Sequence, residues 1–228
     1  MEQQKTYTRH QRLENWFHYN KLWVFVILVV LWVAGSMVWN LLGIGRNEPD
    51  FRILYVGSRQ LPEDCVQALE QALANLAEDC NGDGTVTVTL TQCVRADGSI
   101  ESQMYGYGSE ITVLADITEA ESHFFLLEDP VDFQLSFQIL ANLDGSIPAG
   151  DDFEAMNKVY RWADCPVLAS LALGTYEDSY LDITETGDIQ ELLQNLYLGR
   201  RYFHDPAQQQ YPEADEAFWQ AITEGATP

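Results

Sequence analysis

The sequence predicts an α/β protein: an N-terminal transmembrane helix followed by one doubly wound domain with a mostly parallel sheet. Two features of the residues predict it. Between Lys21 and Arg46 lie 24 consecutive uncharged residues, LWVFVILVVLWVAGSMVWNLLGIG. Beyond them, apolar runs of strand length alternate with stretches whose apolar residues recur at three- and four-residue spacing, the order of βαβ units in a parallel sheet.

About 20 apolar residues cross a hydrocarbon core of about 30 Å, and a helix pairs the backbone amides within the segment, as lipid demands. Only Ser36 and Asn40 in the stretch are strongly polar, and Trp16, Phe17, Tyr19 and Trp23 at one end and Trp39 near the other suit headgroup depth. A cleavable signal sequence has an apolar region of about 7–15 residues and a small-x-small site; this stretch is longer and has no clean site. The expected layout is a cytoplasmic tail over residues 1–21, a transmembrane helix over 22–44, a linker over 45–50, an acidic extracellular domain over 51–205 and a polar C-terminal segment over 206–228 with a final helix around Phe218 and Trp219. Basic residues flank the span almost evenly, Arg9, Arg12 and Lys21 against Arg46, Arg52 and Arg59, so the positive-inside rule gives little direction. The N-in orientation rests on the short basic tail, because a long acidic domain is translocated with little regard to its charges.

Phe51–Ser58 (FRILYVGS) reads as a buried strand feeding a helix, where Pro62 suits the first turn, Glu63 and Asp64 its positive end, and Val66, Leu69, Leu73 and Leu76 form one stripe. Thr85–Cys93 alternates Thr with Val86, Val88 and Leu90, the period of a strand. EITVLADITEAE then predicts a helix and HFFLLED a second buried strand ended by Pro130. Phe133, Phe137 and Leu140 predict a helix through VDFQLSFQILANL, before a turn-rich loop. Short strands are expected at Val159–Trp162, Pro166–Leu173 and Leu181–Ile183, and a helix over Asp188–Tyr202.

The net charge is −23. Four basic and two acidic residues precede residue 45, so that segment carries +2 and the remainder −25. Such a domain repels phosphate backbones and anionic headgroups, which disfavours nucleic acid as a partner and favours cations or basic partners. The same charge also serves to keep a surface domain in solution. Cys65, Cys80, Cys93 and Cys165 lack C-x-x-C spacing and nearby histidines, the marks of a zinc site or redox dithiol. Buried thiols and disulfides both fit, and Cys65–Cys93 is the pair expected if a bridge forms, since both sit at the carboxyl edge of the sheet.

Asp79-Cys-Asn81-Gly-Asp83-Gly84-Thr85-Val86 matches the first half of an EF-hand-type calcium loop, with side-chain oxygens at Asp79, Asn81 and Asp83 and a carbonyl at Thr85. Position twelve is Leu90 where a bidentate carboxylate belongs, so the alternative is a helix-to-strand turn. No other cofactor is expected. Ligands of parallel sheets bind at the carboxyl ends of strands, which nominates Ser58, Arg59, Glu128 and Asp129. There is no G-x-S-x-G elbow, no H-E-x-x-H and no Gly-rich phosphate loop, and only His123 and His204 lie beyond the span.

WFHYNKLWVFVILVVLWV, then FRILYVGS, then an acidic helix running into EDCNGDGTVTV, resembles uncharacterised single-span envelope proteins of Gram-positive bacteria whose ectodomains look like one lobe of an extracellular solute-binding protein. The resemblance covers roughly the first 140 residues and implies a fold and a location, with no catalytic or ligand residues transferred. The expected function is a non-enzymatic, membrane-anchored module that binds a small solute or an envelope partner. The alternative is a carboxylate-based envelope hydrolase, for which the many Asp and Glu residues are the motive.

Overall fold

A computed structural model describes residues 9–41, 48–95, 100–150, 152–180 and 183–227. It divides into two compact units, Met1–Asn47 and Glu48–Pro228. In the first, α1 runs over Arg9–Leu41, and its stretch Trp16–Val38 is long and apolar enough to cross a membrane. The helix starts well before the expected Leu22, and the expected end at Ile44 falls outside the described residues. Two of its polar side chains bond within the helix: the Ser36 hydroxyl donates to the Val33 carbonyl at 2.8 Å, and the Asn20 amide donates to the Trp16 carbonyl at 2.9 Å.

The second unit begins with β1 (Phe51–Gly57), α2 (Glu63–Ala74), β2 (Val88–Val94), α3 (Ile100–Glu119), β3 (Phe124–Leu127) and α4 (Pro130–Phe137). It continues with β4 (Val159–Arg161), α5 (Pro166–Ala169), the strands β5 (Thr175–Tyr180) and β6 (Ile183–Asp188), α6 (Ile189–Leu193), β7 (Tyr197–Arg200) and α7 (Pro212–Thr223). The main sheet has the order β2-β1-β3-β7-β4. β1 pairs in parallel with β2 and β3, and β7 runs antiparallel to both β3 and β4, so four strands point one way and β7 opposes them.

Helices cover both faces of this sheet. Ile53, Tyr55, Phe124, Leu126 and Leu198 pack against Leu69 and Leu73 of α2, Ile189 and Leu193 of α6, and Phe218 and Trp219 of α7. Leu54, Val56, Phe125 and Leu127 pack against Val113 of α3 and Phe133 of α4. The expected final helix therefore exists, with Phe218 stacked 4.4 Å from Phe51 between ring centroids.

Three expectations fail for physical reasons. The helix over Asp188–Tyr202 is cut short: α6 ends at Leu193 and the chain extends into β7. Gly199 belongs to that strand, because a Cβ there would stand 2.9 Å from a Leu140 methyl. The helix expected through Leu140 ends at Phe137, where Gln138 turns left-handed at φ 51° and the Gln134 side chain accepts from the Leu140 amide. Pro166–Ala169 is helical, while Thr175–Asp188 contains an antiparallel hairpin, β5 and β6.

Lys158 is fully buried. Its ammonium contacts the Asp152 carboxylate at 2.8 Å and donates to the Asn157 side chain and to the Glu154 carbonyl, so all three protons are used. The Lys158 hydrogen bond holds the Asp152 carboxyl below its ordinary range. That contribution is complete above the unfolded carboxylate range and is lost as pH falls through the lowered folded value. Lys158→Met is expected to lower the urea midpoint, because Asp152, Glu154 and Asn157 lose a shared donor, and to flatten the acid-side loss of stability relative to the wild-type chain.

Candidate functional site

After β1 the chain turns to α2 on one face of the sheet, whereas after β3 it turns to α4 on the other. β2 and β3 also flank β1 on opposite sides. The diverging connections open a crevice at the carboxyl ends of β1 and β3, the switch point where ligands of such sheets settle. Here it is a cleft of about 580 Å³ lined by Gly57 at the end of β1 and Ser58 after it, Arg95 after β2, Glu128 and Asp129 after β3, and Glu110 and Asp132 from α3 and α4. That volume is within the range of small-molecule sites.

Of the four residues nominated from sequence, Ser58, Glu128 and Asp129 meet in this cleft. Arg59 is not among its lining residues, and its carbonyl accepts the Tyr55 hydroxyl at 3.0 Å. Glu128 is held from across the strands. One carboxylate oxygen accepts the Ser58 amide at 2.5 Å and the other accepts the Ser58 hydroxyl at 3.0 Å. Gly57 makes this approach possible: a Cβ would stand 3.0 Å from the Glu128 carboxylate and would collide with the Tyr55 hydroxyl. Burial, with Glu128 as the second cause, pushes the Tyr55 phenol above its ordinary range, so it is a neutral donor beneath the cleft. Asp129 caps α4 by accepting the Asp132 amide at 2.9 Å. Asp132 in turn pairs with Arg95, whose amide donates to the Gly57 carbonyl at 2.8 Å.

Four carboxylates thus share the cleft with one guanidinium, a net charge of −3 on the lining. Such a wall favours an ammonium or guanidinium group. Arg95, Glu110 and Asp132 were not nominated from sequence. Arg95 follows the last residue of β2 and becomes legible once that strand is extended to Val94; Glu110 and Asp132 sit on helices, and helical spacing alone does not reveal which surface carboxylate faces a crevice.

The loop from Asp79 to Thr85 joins α2 to β2 at the opposite end of the sheet, as expected. Several of its side-chain oxygens accept from groups of the loop itself. Asp79 accepts from Gly82 at 2.7 Å and Gly84 at 2.9 Å, Asn81 accepts from Asp83 at 2.8 Å, and Asp83 accepts from the Thr85 amide and hydroxyl. Asp50, expected in the linker, is instead buried in the domain and clamps the loop by accepting from Cys80, Asn81 and Thr87. Among the described residues, no group of three or more His, Cys, Asp or Glu side chains is placed to hold a metal ion.

The Cys65–Cys93 bridge does not form. Cys65 on α2 belongs to one core layer and Cys93 on β2 to the other, so the sheet stands between their sulfurs. All four cysteines are free, and burial pushes the Cys65, Cys93 and Cys165 thiols up to about 11. His123 is a satisfied half-buried residue, its Nδ1 2.7 Å from the buried Asp215 carboxylate.

The chain matches no protein-family model, no curated protein and no solved structure.

Two outcomes follow from this geometry. Gly57→Ala is expected to destabilise the domain by about 1–3 kcal/mol through overpacking, read as a lowered urea midpoint. Thiol titration is expected to reach four per chain in denaturant without reductant, with Cys65, Cys93 and Cys165 unreactive in the native protein.

Proposed function

We propose that the chain is a membrane-anchored, non-enzymatic binding module. Residues 1–21 lie in the cytoplasm, the apolar helix crosses the cell membrane once, and the acidic domain stands outside and takes a cation-bearing ligand into the switch-point cleft. The observation that carries the proposal is the lining of that cleft, four carboxylates and one guanidinium at the carboxyl ends of β1 and β3. A ligand ammonium entering there meets Glu128 already oriented by Ser58, so little side-chain ordering opposes binding. Asp129 and Asp132 hold α4 and Arg95 in place, leaving Glu110 and Glu128 as the carboxylates that meet the ligand. The resemblance of roughly the first 140 residues to single-span envelope proteins supports the same location.

The topology is tested by adding protease to intact cells. The domain is expected to be cleaved while an epitope on residues 1–21 survives; a protected domain would reverse the orientation. The cleft is tested by calorimetry of the full chain in detergent against lysine, arginine, spermidine, glutamate and phosphate. Saturable heat is expected from the cationic probes alone, reduced at least tenfold in affinity by Glu110→Gln with Glu128→Gln.

A further inference from the structure

Among the described residues, the domain's solvent-exposed large apolar side chains fall within residues 111–156. Among the described residues they are Ile111 and Leu114 on α3, Val131 and Leu135 on α4, and Ile147, Phe153 and Met156 in the loop beyond α4; α2, α5, α6 and α7 present none. The two helices share the same face of the sheet, where Val113 and Ile117 of α3 join Phe133 and Phe137 of α4 in one core layer. They also flank a depression at each end. Glu110 and Asp132 line the switch-point cleft at one end, and Ile117 and Phe137 line a second cleft of about 350 Å³ at the other. Ile111 and Leu114, 69% and 58% exposed, follow Glu110 on α3, and Val131 and Leu135, 44% and 54% exposed, flank Asp132 on α4, so each helix that lines the acidic cleft also carries exposed apolar residues. Contiguous exposed apolar surface with a polar rim marks an interaction site more often than scattered single residues do.

Charge selects the occupant. A second copy of this chain would bring the same net charge of −23, and an anionic bilayer surface is also negative, so both are repelled. A basic partner is attracted to the cleft and, if amphipathic, covers the apolar residues as well.

We propose that the outer surface of α3 and α4 docks an amphipathic, basic segment of a protein partner, with apolar side chains over Ile111, Leu114, Val131 and Leu135 and a Lys or Arg entering the cleft beside Glu110 and Glu128. The assignment rests on the cleft being a cation-binding pocket and names what carries the cation: a polypeptide rather than a free solute.

The test uses the full chain in phosphatidylcholine nanodiscs, with empty nanodiscs as the blank. The probe is an 18-residue amphipathic Leu/Lys peptide, compared with a Leu/Glu peptide of the same pattern, a Ser/Lys peptide of the same charge, and free lysine. The Leu/Lys peptide is expected to bind saturably and at least tenfold more tightly than Ser/Lys or lysine, with the Leu/Glu peptide silent. That advantage is expected to disappear in Leu114→Ser with Leu135→Ser, whose side chains are exposed in the folded chain, while lysine binding stays as it was. Equal affinity for the Leu/Lys and Ser/Lys peptides, or an advantage unchanged by the serine pair, would overturn the docking surface and leave the cleft standing. Lysine and peptide binding that ignores Glu110→Gln with Glu128→Gln would overturn the cleft itself, and the docking assignment with it.

Discussion

Strands β1 and β3 have almost no polar face. Phe51, Ile53 and Tyr55 of β1 alternate with Leu54 and Val56, and each set is buried against a different layer. The four residues of β3 divide in the same way. At roughly 25 cal/mol for each Å² of apolar surface removed from water, neither face is left open without a large loss of stability. Helices must therefore cover both sides, which means that the connection after β1 and the connection after β3 leave the sheet in opposite directions. The cleft between them is a consequence of burial and would exist whatever residues lined it.

What lines it is a separate matter. Gly57 has no side chain because Tyr55 and Glu128 close over it, and the Ser58 amide and hydroxyl then fix the Glu128 carboxylate at the mouth. Asp129 and Asp132 are spent on the start of α4 and on Arg95. The result is an acidic opening lined in part by two helices that carry exposed apolar positions. Part of the chain's acidity is thereby gathered at the carboxyl ends of β1 and β3.

At the opposite end of the sheet, similar residues hold a turn. The Asp79–Thr85 loop has the residue types of a cation loop, yet its carboxylates and amide are turned toward the backbone amides of the loop itself, and Asp50 secures the loop to the start of β1. A turn that must reverse direction between α2 and β2 leaves several amides unpaired, and short Asx side chains are the nearest acceptors. Lys158 shows the same economy, with each ammonium proton given to a neighbour within six residues of sequence.

Local sequence was enough for the apolar N-terminal helix, for β1, α2, β3 and the final helix, and for Ser58, Glu128 and Asp129 at one edge, because periodicity and strand ends are properties of a few consecutive residues. It was not enough for β7, where Leu140 and Val159 close on Gly199, nor for the hairpin of β5 and β6. It could not tell that Cys65 and Cys93 lie on opposite sides of the sheet, since that depends on which way each side chain points from its own element. Arg95, Glu110 and Asp132 were brought to the cleft only by the packing of α3 and α4 against a sheet already assembled. Chain-local patterns decide which elements form; the pairing of distant surfaces decides which of their polar side chains meet.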